Sequence, residues 1–428
     1  MWMQLIKITL GIILLLAVNH LFAQQDSLAA DTTVKKLGPI EVDILSSYYS
    51  QDGEHSPVTG GRGTEELSDL TSTIIINIPY GKNTYNINLG ADNITSASTD
   101  NIDTEVSSDS KKDARAHGNF GITHKISKRK SYSVGAGFSS EYDVKSFSFN
   151  AGVSLESKNR NSSLDVNSKM FLDNWSLYEP IELSSNIEIE TEEGDTEVEV
   201  ESSGTKNRTS YDLSVSFAQI LTKRLQVSFT GEVIYQKGLL STPFHRVYFN
   251  DGVNTNNLNE IETILSTKSR KRELLPVNRL KTPVAMRLHY SISGTFVVRS
   301  FYRYYTDDFG VTANTVELEL PIKVGNALTF YPFYRYHDQT ASKYFTPFGE
   351  HLLSSDYYTS DYDLSAFNSN QYGVGLEYAP LFGVGKKAIN ADKGFLKLKS
   401  INARFANYER SDGLSSYLVS FGLSFEID

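Results

Sequence analysis

Apolar side chains alternate with small polar ones over many short stretches of this chain, and a period of two is the mark of an extended strand. In residues 144–157, Phe147 and Phe149 fall on one face, and the residues beside them are mostly serine, asparagine and glycine. Residues 417–425 repeat the pattern near the C-terminus. The alternation slips by one residue near Ser400, which predicts a β-bulge there. The pattern predicts an all-β protein whose strands each have one apolar and one polar face.

The connections between these strands alternate between short and long. Outer-membrane barrels have this arrangement, with tight periplasmic turns at one rim and long extracellular loops at the other. Soluble sandwiches also have alternating strands, so a soluble β-protein stays open as the alternative. The connections favour a transmembrane antiparallel outer-membrane β-barrel of about 16 strands, with long extracellular loops and short periplasmic turns. The short turns are expected at 80–83, 127–130, 157–161, 221–224, 291–294 and 323–326, and the long loops near 50–67, 94–114, 175–208, 236–280 and 337–369.

The N-terminus predicts export. Lys7 precedes an apolar run that stops near Ala23, too short to span a bilayer and followed by polar residues. We therefore expect a cleaved signal peptide over 1–23, with an uncleaved anchor as the alternative. A short periplasmic segment over 24–38 and the barrel over 39–428 follow. The expected location is the outer membrane of a Gram-negative bacterium, with outer-membrane lipids around the wall.

The composition argues against several classes of function. The chain has no cysteine, which removes disulfides, thiolate metal sites and cysteine nucleophiles. A net charge of -10 argues against a nucleic-acid partner. None of the histidines beyond the signal peptide has a partner at a spacing typical of a catalytic dyad or triad. We therefore expect no enzymatic activity, no cofactor and no metal.

Charged residues in the second half of the chain fall on the polar faces of their strands. An arginine facing lipid at the bilayer midplane costs about 2–4 kcal/mol, so these residues are expected to face the lumen. Such a cluster would either brace the wall or form a selectivity surface for a charged or sugar solute. The predicted lumen-facing ionic cluster contains Arg287, His289, Arg299, Arg303, Glu317, Glu319, Arg335 and His337.

Two of the long loops have a distinctive composition. Segment 236–280 is polar except for an aromatic and basic stretch, and it is expected either to plug the lumen or to pack on the rim. The first loop is rich in glycine but lacks the Lys-Ser/Thr pair of a phosphate-binding loop, so its glycines are expected to allow positive φ angles. The plug-loop residues are Phe244, His245, Arg246, Tyr248 and Phe249, and the first-loop motif is Gln51, Asp52, Gly53, His55, Gly60, Gly61 and Gly63.

Several motifs of the chain resemble those of a known family. The most specific are the glycine-rich first loop and the paired stretches "RYYTDDFG" and "YRYHDQT". On these motifs the chain resembles the Bacteroidota outer-membrane β-barrel family known only as a domain of unknown function. The resemblance extends over essentially the whole chain after the signal peptide. It implies an outer-membrane barrel with no established activity or catalytic residues. The stretches that carry it are 46–69, 138–152, 239–249, 303–321 and 333–345.

Two functions remain open on the sequence. A passive or gated pore, or the outer-membrane component of an envelope system, would pass a small polar solute along the ionic cluster. A non-conducting structural or docking barrel would instead bind a periplasmic or surface partner protein through loops 50–67 and 236–280. A continuous lumen would indicate the pore, and a lumen closed by 236–280 would indicate the docking barrel.

Overall fold

Sixteen antiparallel strands form one closed sheet in the computed structural model, because the first strand pairs with the last. The structure describes residues 37–96, 112–178, 190–192, 195–197, 202–242, 244–250, 270–388 and 395–427. The predicted signal peptide 1–23, and segment 24–38 as far as residue 36, lie outside the described residues. The closed barrel confirms the predicted fold class and strand number.

The strands follow one another around the barrel in chain order. Two of them, β10 and β12, are each interrupted once. The strands are β1 (Ile40–Asp52), β2 (Leu67–Tyr80), β3 (Asn83–Ser96), β4 (Lys112–Ser127), β5 (Lys130–Ser140), β6 (Val144–Glu156), β7 (Ser162–Tyr178), β8 (Ser202–Thr222), β9 (Leu225–Gly238), β10 (Asn278–Lys281 and Val284–Ser291), β11 (Val297–Thr306), β12 (Thr312–Glu319 and Ile322–Val324), β13 (Leu328–Gln339), β14 (Phe367–Tyr378), β15 (Phe395–Arg410) and β16 (Ser415–Ile427).

A few shorter elements lie in the connections. Gly385–Ala388 extends the hairpin between β14 and β15, and Arg246–Tyr248 pairs with Arg270–Arg272. None of the helices in the described residues is long and apolar enough to cross a membrane. The remaining short elements are the strand pair Glu190–Glu192 with Asp195–Glu197 and the 3-10 turns Pro57–Thr59 and Tyr362–Leu364.

The predicted arrangement of long connections at one end of the barrel and short turns at the other is confirmed, with 141–143, 307–311 and 411–414 short at the first end and 379–394 long at the second. Residues 81–82 join β2 to β3 at one end of the barrel, and 340–366 join β13 to β14 at the other. The loop predicted over 236–280 is shorter, 239–277, because ladder pairing continues to Gly238 and resumes at Asn278.

The apolar faces of the strands form the outer surface of the barrel. Phe147 and Phe149 on β6 are 59% and 52% exposed, and Phe421 on β16 is 47% exposed. Residues on the other face contact one another across the strands, as where Ser146 donates a hydrogen bond to Asp173 at 2.6 Å. The wall therefore presents an apolar outer face and a polar inner face.

Strand β15 contains the β-bulge that the sequence predicts near Ser400. Its pairing with β16 shifts register between Leu398 and Ser400, which leaves Lys399 as the extra residue. The Lys399 ammonium donates a hydrogen bond to Glu426 at 2.8 Å. The extra residue restores the alternation, so Phe405 points outward.

Three long connections pack together into a region that we call the loop cap, which comprises the described residues of 53–66, 239–277 and 340–366. Val247 and Phe249 are fully buried there beside Tyr358. Backbone hydrogen bonds join the segments in both directions between Leu274 and Tyr358. The loop cap thus has an apolar core of its own.

Candidate functional site

The pairing register arranges the predicted ionic cluster in three rows across β10 to β13. Directly opposed side chains in a sheet lie about 4.5–5.5 Å apart at Cβ, so neighbours in a row are within reach of one another. The rows are His289–Arg299–Glu319–Phe333, Arg287–Phe301–Glu317–Arg335 and Ala285–Arg303–Thr315–His337.

The first row is organised by the carboxylate of Glu319. Arg299 Nη1 donates a hydrogen bond to Glu319 Oε1 at 2.8 Å, and Arg404 Nη1 lies 3.7 Å from Oε2. The Arg404 guanidinium also lies 3.8 Å from the centre of the Phe333 ring. Two arginines therefore share the carboxylate of Glu319.

The second row is stabilised through a ring contact rather than through an ion pair. The Arg287 guanidinium lies 4.8 Å from the centre of the Phe301 ring. Glu317 stands opposite Arg335 in the register, yet among the described ion pairs none within 4.0 Å joins these two side chains. Arg335 thus keeps a guanidinium available to the lumen.

The third row combines a ring contact with a hydrogen bond. Arg303 lies 5.8 Å from the centre of the Tyr305 ring, and Thr315 Oγ1 shares a hydrogen bond of 2.8 Å with His337 Nδ1. Of the eight residues predicted for the ionic cluster, the structure brings Arg299 and Glu319 into a direct ion pair. The others share the inner face without forming one continuous ladder of ion pairs among the described side chains.

A cavity of about 590 Å³ lies between the wall and the loop cap. Arg335, His337 and Arg410 contribute to it from β13 and β15. His55 and Tyr362 contribute from the loop cap. The loop cap therefore borders the inner face of the wall where the second and third rows end.

Arg410 fastens the loop cap to the wall. Its Nη1 donates to Asp363 Oδ1 at 2.6 Å, and its Nη2 donates to the Tyr362 carbonyl at 2.9 Å. From β13, Gln339 Nε2 donates to the carbonyl oxygens of Asp363 and Ser365 at 3.0 and 2.8 Å. Residues 361–365 are thereby held against two strands.

The first-loop residues pack against this same segment. The rings of His55 and Tyr362 are stacked, with centroids 3.7 Å apart and planes 4° apart. Gly61 has a φ of +89°, and a Cβ there would lie 2.7 Å from the Ser360 carbonyl oxygen. Gly60 and Gly63 also have positive φ. Glycine at position 61 therefore allows both the turn and the close approach.

The remaining first-loop residues close the base of the loop. Gln51 and Asp52 end β1, and Gln51 Nε2 donates to the Glu65 carbonyl at 3.0 Å. The Glu65 amide donates to the Gly53 carbonyl at 2.9 Å. Burial raises the pKa of the Glu65 carboxyl.

The predicted plug-loop residues lie inside the loop cap. Tyr248 packs on Phe348 with centroids 4.7 Å apart, and Phe249 meets Tyr358 edge to face at 4.9 Å. Arg246 is 2% exposed, and Phe244 contacts the neighbouring His245 ring edge to face at 5.6 Å. Tyr248 and Phe249 belong to the buried core of the loop cap, and Phe244 and His245 lie beside it.

His245, Glu273 and Asp361 meet beside that core. His245 Nδ1 lies 3.9 Å from Glu273 Oε1 and 3.8 Å from Asp361 Oδ2. Each of the three residues has one atom that could ligate a metal ion, and these three atoms lie within 4.8 Å of one another. Burial raises the pKa of Asp361 to about 6, against the opposing effect of the nearby His245. We call these three residues the cap triad.

Four of the residues at these sites were not predicted from the sequence, for two different reasons. Arg404 and Arg410 are absent from the predicted cluster, although the alternation that directs Phe405 outward also directs both of them inward. Glu273 and Asp361 carry no comparable signal, because only folding brings these two residues next to His245.

The family model described as "Protein of unknown function (DUF3570)" matches residues 79–412. No curated protein matches the chain. Among solved structures, OccAB1 of Acinetobacter baumannii is 10% identical with a TM-score of 0.42, and the match covers 94% of this chain and 99% of that one.

Two further solved structures come from Pseudomonas aeruginosa. OccK2 (OpdF) is 8% identical with a TM-score of 0.40, covering 91% of this chain and 97% of that one. A mutant of the ferric enterobactin receptor PfeA is 10% identical with a TM-score of 0.39, covering 86% and 53%. Similarities of this size transfer neither a solute nor an activity. The family match spans most of the chain, and the chain therefore belongs to the DUF3570 family of proteins of unknown function.

Proposed function

We propose that the protein is an outer-membrane pore that admits small anionic solutes and is narrowed by its loop cap. The outer face supports the membrane location, because a closed sheet satisfies its backbone groups internally and an apolar belt matches lipid. Outer-membrane lipids are then the partners of this face.

The arginine-rich inner wall is the observation that carries the proposed selectivity. Arg299 and Arg404 share the single carboxylate of Glu319, and Arg335 faces the cavity with its guanidinium outside any described ion pair with Glu317. Guanidinium groups are planar, permanently charged donors that suit carboxylate and phosphate. A solute with such a group would pass along this wall from row to row.

The loop cap supports a narrowed rather than a wide lumen. Its residues border the same cavity as Arg335 and His337, and Arg410 ties it to β15. In this proposal the segment 239–277 takes the role of the predicted plug. Passage then depends on the space between the loop cap and the wall.

A non-conducting docking barrel is the second candidate. The buried core of the loop cap, with Val247 and Phe249 fully covered, is the observation that favours it. A region with its own core holds a fixed shape and would suit recognition of an envelope partner protein.

Ion selectivity in planar bilayers tests the proposal. We expect the full chain to form stable channels that are more permeable to anions than to cations. In the double variant Arg299→Gln/Arg404→Gln, the reversal potential should shift in the direction of greater cation permeability. The matched control Lys128→Gln/Arg129→Gln removes the same charge from the short turn between β4 and β5, and it leaves selectivity unchanged.

Two results would count against the pore. A folded wild-type barrel that stays electrically silent would favour the docking barrel, because the lumen would then be closed. Channels whose selectivity does not respond to Arg299→Gln/Arg404→Gln would remove the role proposed for the wall.

A further inference from the structure

We propose that the cap triad of His245, Glu273 and Asp361 binds a divalent transition-metal ion, with Zn²⁺ as the representative cation. The inference stands on the loop cap alone and does not depend on whether the barrel conducts. It assigns a role to a group of side chains that the proposed pore does not use.

The separations within the cap triad fit a metal site. Metal–ligand distances of about 2.0–2.2 Å place neighbouring donors of a Zn²⁺ ion about 3–3.5 Å apart. His245 Nδ1 lies 3.9 Å from Glu273 Oε1 and 3.8 Å from Asp361 Oδ2. The two carboxylate oxygens therefore need to approach His245 Nδ1 by only about half an ångström to share one cation with it.

The carboxylate of Glu273 is oriented by the surrounding residues. Its side chain is 2% exposed, its Oε2 accepts a hydrogen bond from the Thr242 amide at 2.7 Å, and its Oε1 accepts one from Thr359 Oγ1. Each carboxylate oxygen can accept two bonds, so Oε1 keeps a lone pair for a cation. Hydrogen bonds of this kind hold metal ligands in place.

Hydrogen bonds also orient the carboxylate of Asp361. Its Oδ1 accepts a hydrogen bond from the Asp363 amide at 2.9 Å, and its Oδ2 is the oxygen that faces His245. The Asp361 amide in turn donates to Thr359 Oγ1 at 3.0 Å. Thr359 thus positions both carboxylates of the cap triad, and it is itself fully buried.

The charge balance of the cap triad favours a cation. Two carboxylates with little solvent access face one imidazole. Burying charge in this way is costly unless an opposite charge compensates it. A divalent cation between the two carboxylates would supply that opposite charge.

The donor set selects the class of metal. One imidazole nitrogen and two carboxylate oxygens suit Zn²⁺ and its transition-metal neighbours, whereas Ca²⁺ and Mg²⁺ prefer oxygen ligands alone. Three protein ligands leave a position for water. His245 and Glu273 lie in the connection 239–277 and Asp361 lies in 340–366, so the bound cation would join two of the three connections of the loop cap.

Zn²⁺ titration of the folded full chain in detergent tests the site. The chain is prepared without a polyhistidine tag, treated with EDTA and titrated calorimetrically. We expect one Zn²⁺ per chain, no binding by His245→Ala, and at least about tenfold weaker binding by Glu273→Gln or Asp361→Asn. Hydrogen exchange of residues 245–250 should slow when Zn²⁺ is added to the wild type.

Two control variants separate the cap triad from a general effect of charge or histidine content. Asp356→Asn removes an exposed carboxylate from the same loop, and His124→Ala removes a histidine from β4. Both should bind Zn²⁺ as the wild type does. Heat-modifiable electrophoretic mobility confirms that each variant has folded, and Glu273→Gln keeps the shape of the side chain if larger changes do not fold.

The proposal is overturned if the folded wild type binds no Zn²⁺, or if the three triad variants bind it as the controls do. Binding of Ca²⁺ with no binding of Zn²⁺ would also overturn it, because that preference belongs to an all-oxygen site.

Discussion

The barrel wall and the loop cap direct their apolar side chains in opposite senses. On the wall, Phe147 is 59% exposed on the outer face and Arg299 lies on the inner face. In the loop cap, Phe249 is fully buried and so is almost all of Arg246. The wall is therefore built for an apolar surrounding, whereas the loop cap is built like a small water-soluble domain. The two regions should respond differently to the same kind of substitution.

Phe249→Ala should have the largest effect, and only on the loop cap. Removing a buried phenylalanine ring costs about 3–5 kcal/mol, because the lost contacts leave a cavity. We expect hydrogen exchange to accelerate in residues 246–249 and 356–360, with the wall strands still protected. Phe147→Ala is the matched change on the wall and should leave the loop cap protected. Equal acceleration in both variants would contradict the separation of the two regions.

Phe149→Arg should destabilise the wall and spare the loop cap. An arginine placed on the lipid-facing side near the bilayer midplane costs about 2–4 kcal/mol. Urea unfolding in lipid vesicles measures this loss. The neighbouring Ser148→Arg puts the same side chain on the inner face, where we expect a much smaller change. If Ser148→Arg were the more harmful variant, the assignment of the two faces would be wrong.

Gly61→Ala should weaken the contact between the first loop and residues 360–362. A positive φ costs a residue with a Cβ about 1–2 kcal/mol, and at Gly61 the new atom would also lie 2.7 Å from the Ser360 carbonyl oxygen. Gly413→Ala is matched in conformation, since Gly413 has a φ of +101° with open space around it. A larger increase of exchange around residue 61 in Gly61→Ala than around residue 413 in Gly413→Ala would show that the close approach matters beyond the backbone strain.

Protonation of His351 should have the smallest effect, a loss of loop-cap stability at acidic pH. Burial lowers the pKa of His351, whose Nε2 donates to the Thr359 carbonyl at 2.9 Å. A histidine with a lowered pKa in the folded state stabilises that state above its unfolded pKa of about 6.5, and this contribution is lost as the pH falls below that value. Each tenfold difference in proton affinity between the folded and unfolded states corresponds to about 1.4 kcal/mol.

We therefore expect loop-cap protection in the metal-free protein to fall from pH 7.5 to pH 5 by more in the wild type than in His351→Gln. Asp361 has a raised pKa and acts in the opposite direction, but it is present in both proteins and cancels in the comparison. Identical pH dependence in the two proteins would exclude His351 as the cause.

The strands and faces of the wall could be predicted from the sequence, because the alternation that assigns a residue to a face acts over only a few positions. The alternation of Tyr417, Val419 and Phe421 assigns each residue to a face without knowledge of its neighbours in space. The same rule predicted the register shift near Ser400. The same rule assigns Arg404 to the inner face, but its contact with Glu319, which lies three strands away, is visible only in the tertiary structure.

The loop cap could not be derived in this way because loops have no periodicity to assign a side chain to a face. His245 is conspicuous in an aromatic stretch, but its neighbours Glu273 and Asp361 lie in ordinary polar sequence. Their meeting depends on the path of two loops, which short-range pattern does not encode.

The sequence by itself determined the closed barrel, the direction of its faces and the order of short turns and long loops, since a two-residue period and turn residues act over a few positions. Only the tertiary structure decided that Arg299 and Arg404 share Glu319, and that three loops converge on a core with the cap triad beside it. Those contacts join residues far apart in the chain, and their free energy depends on burial and proximity that exist only after folding.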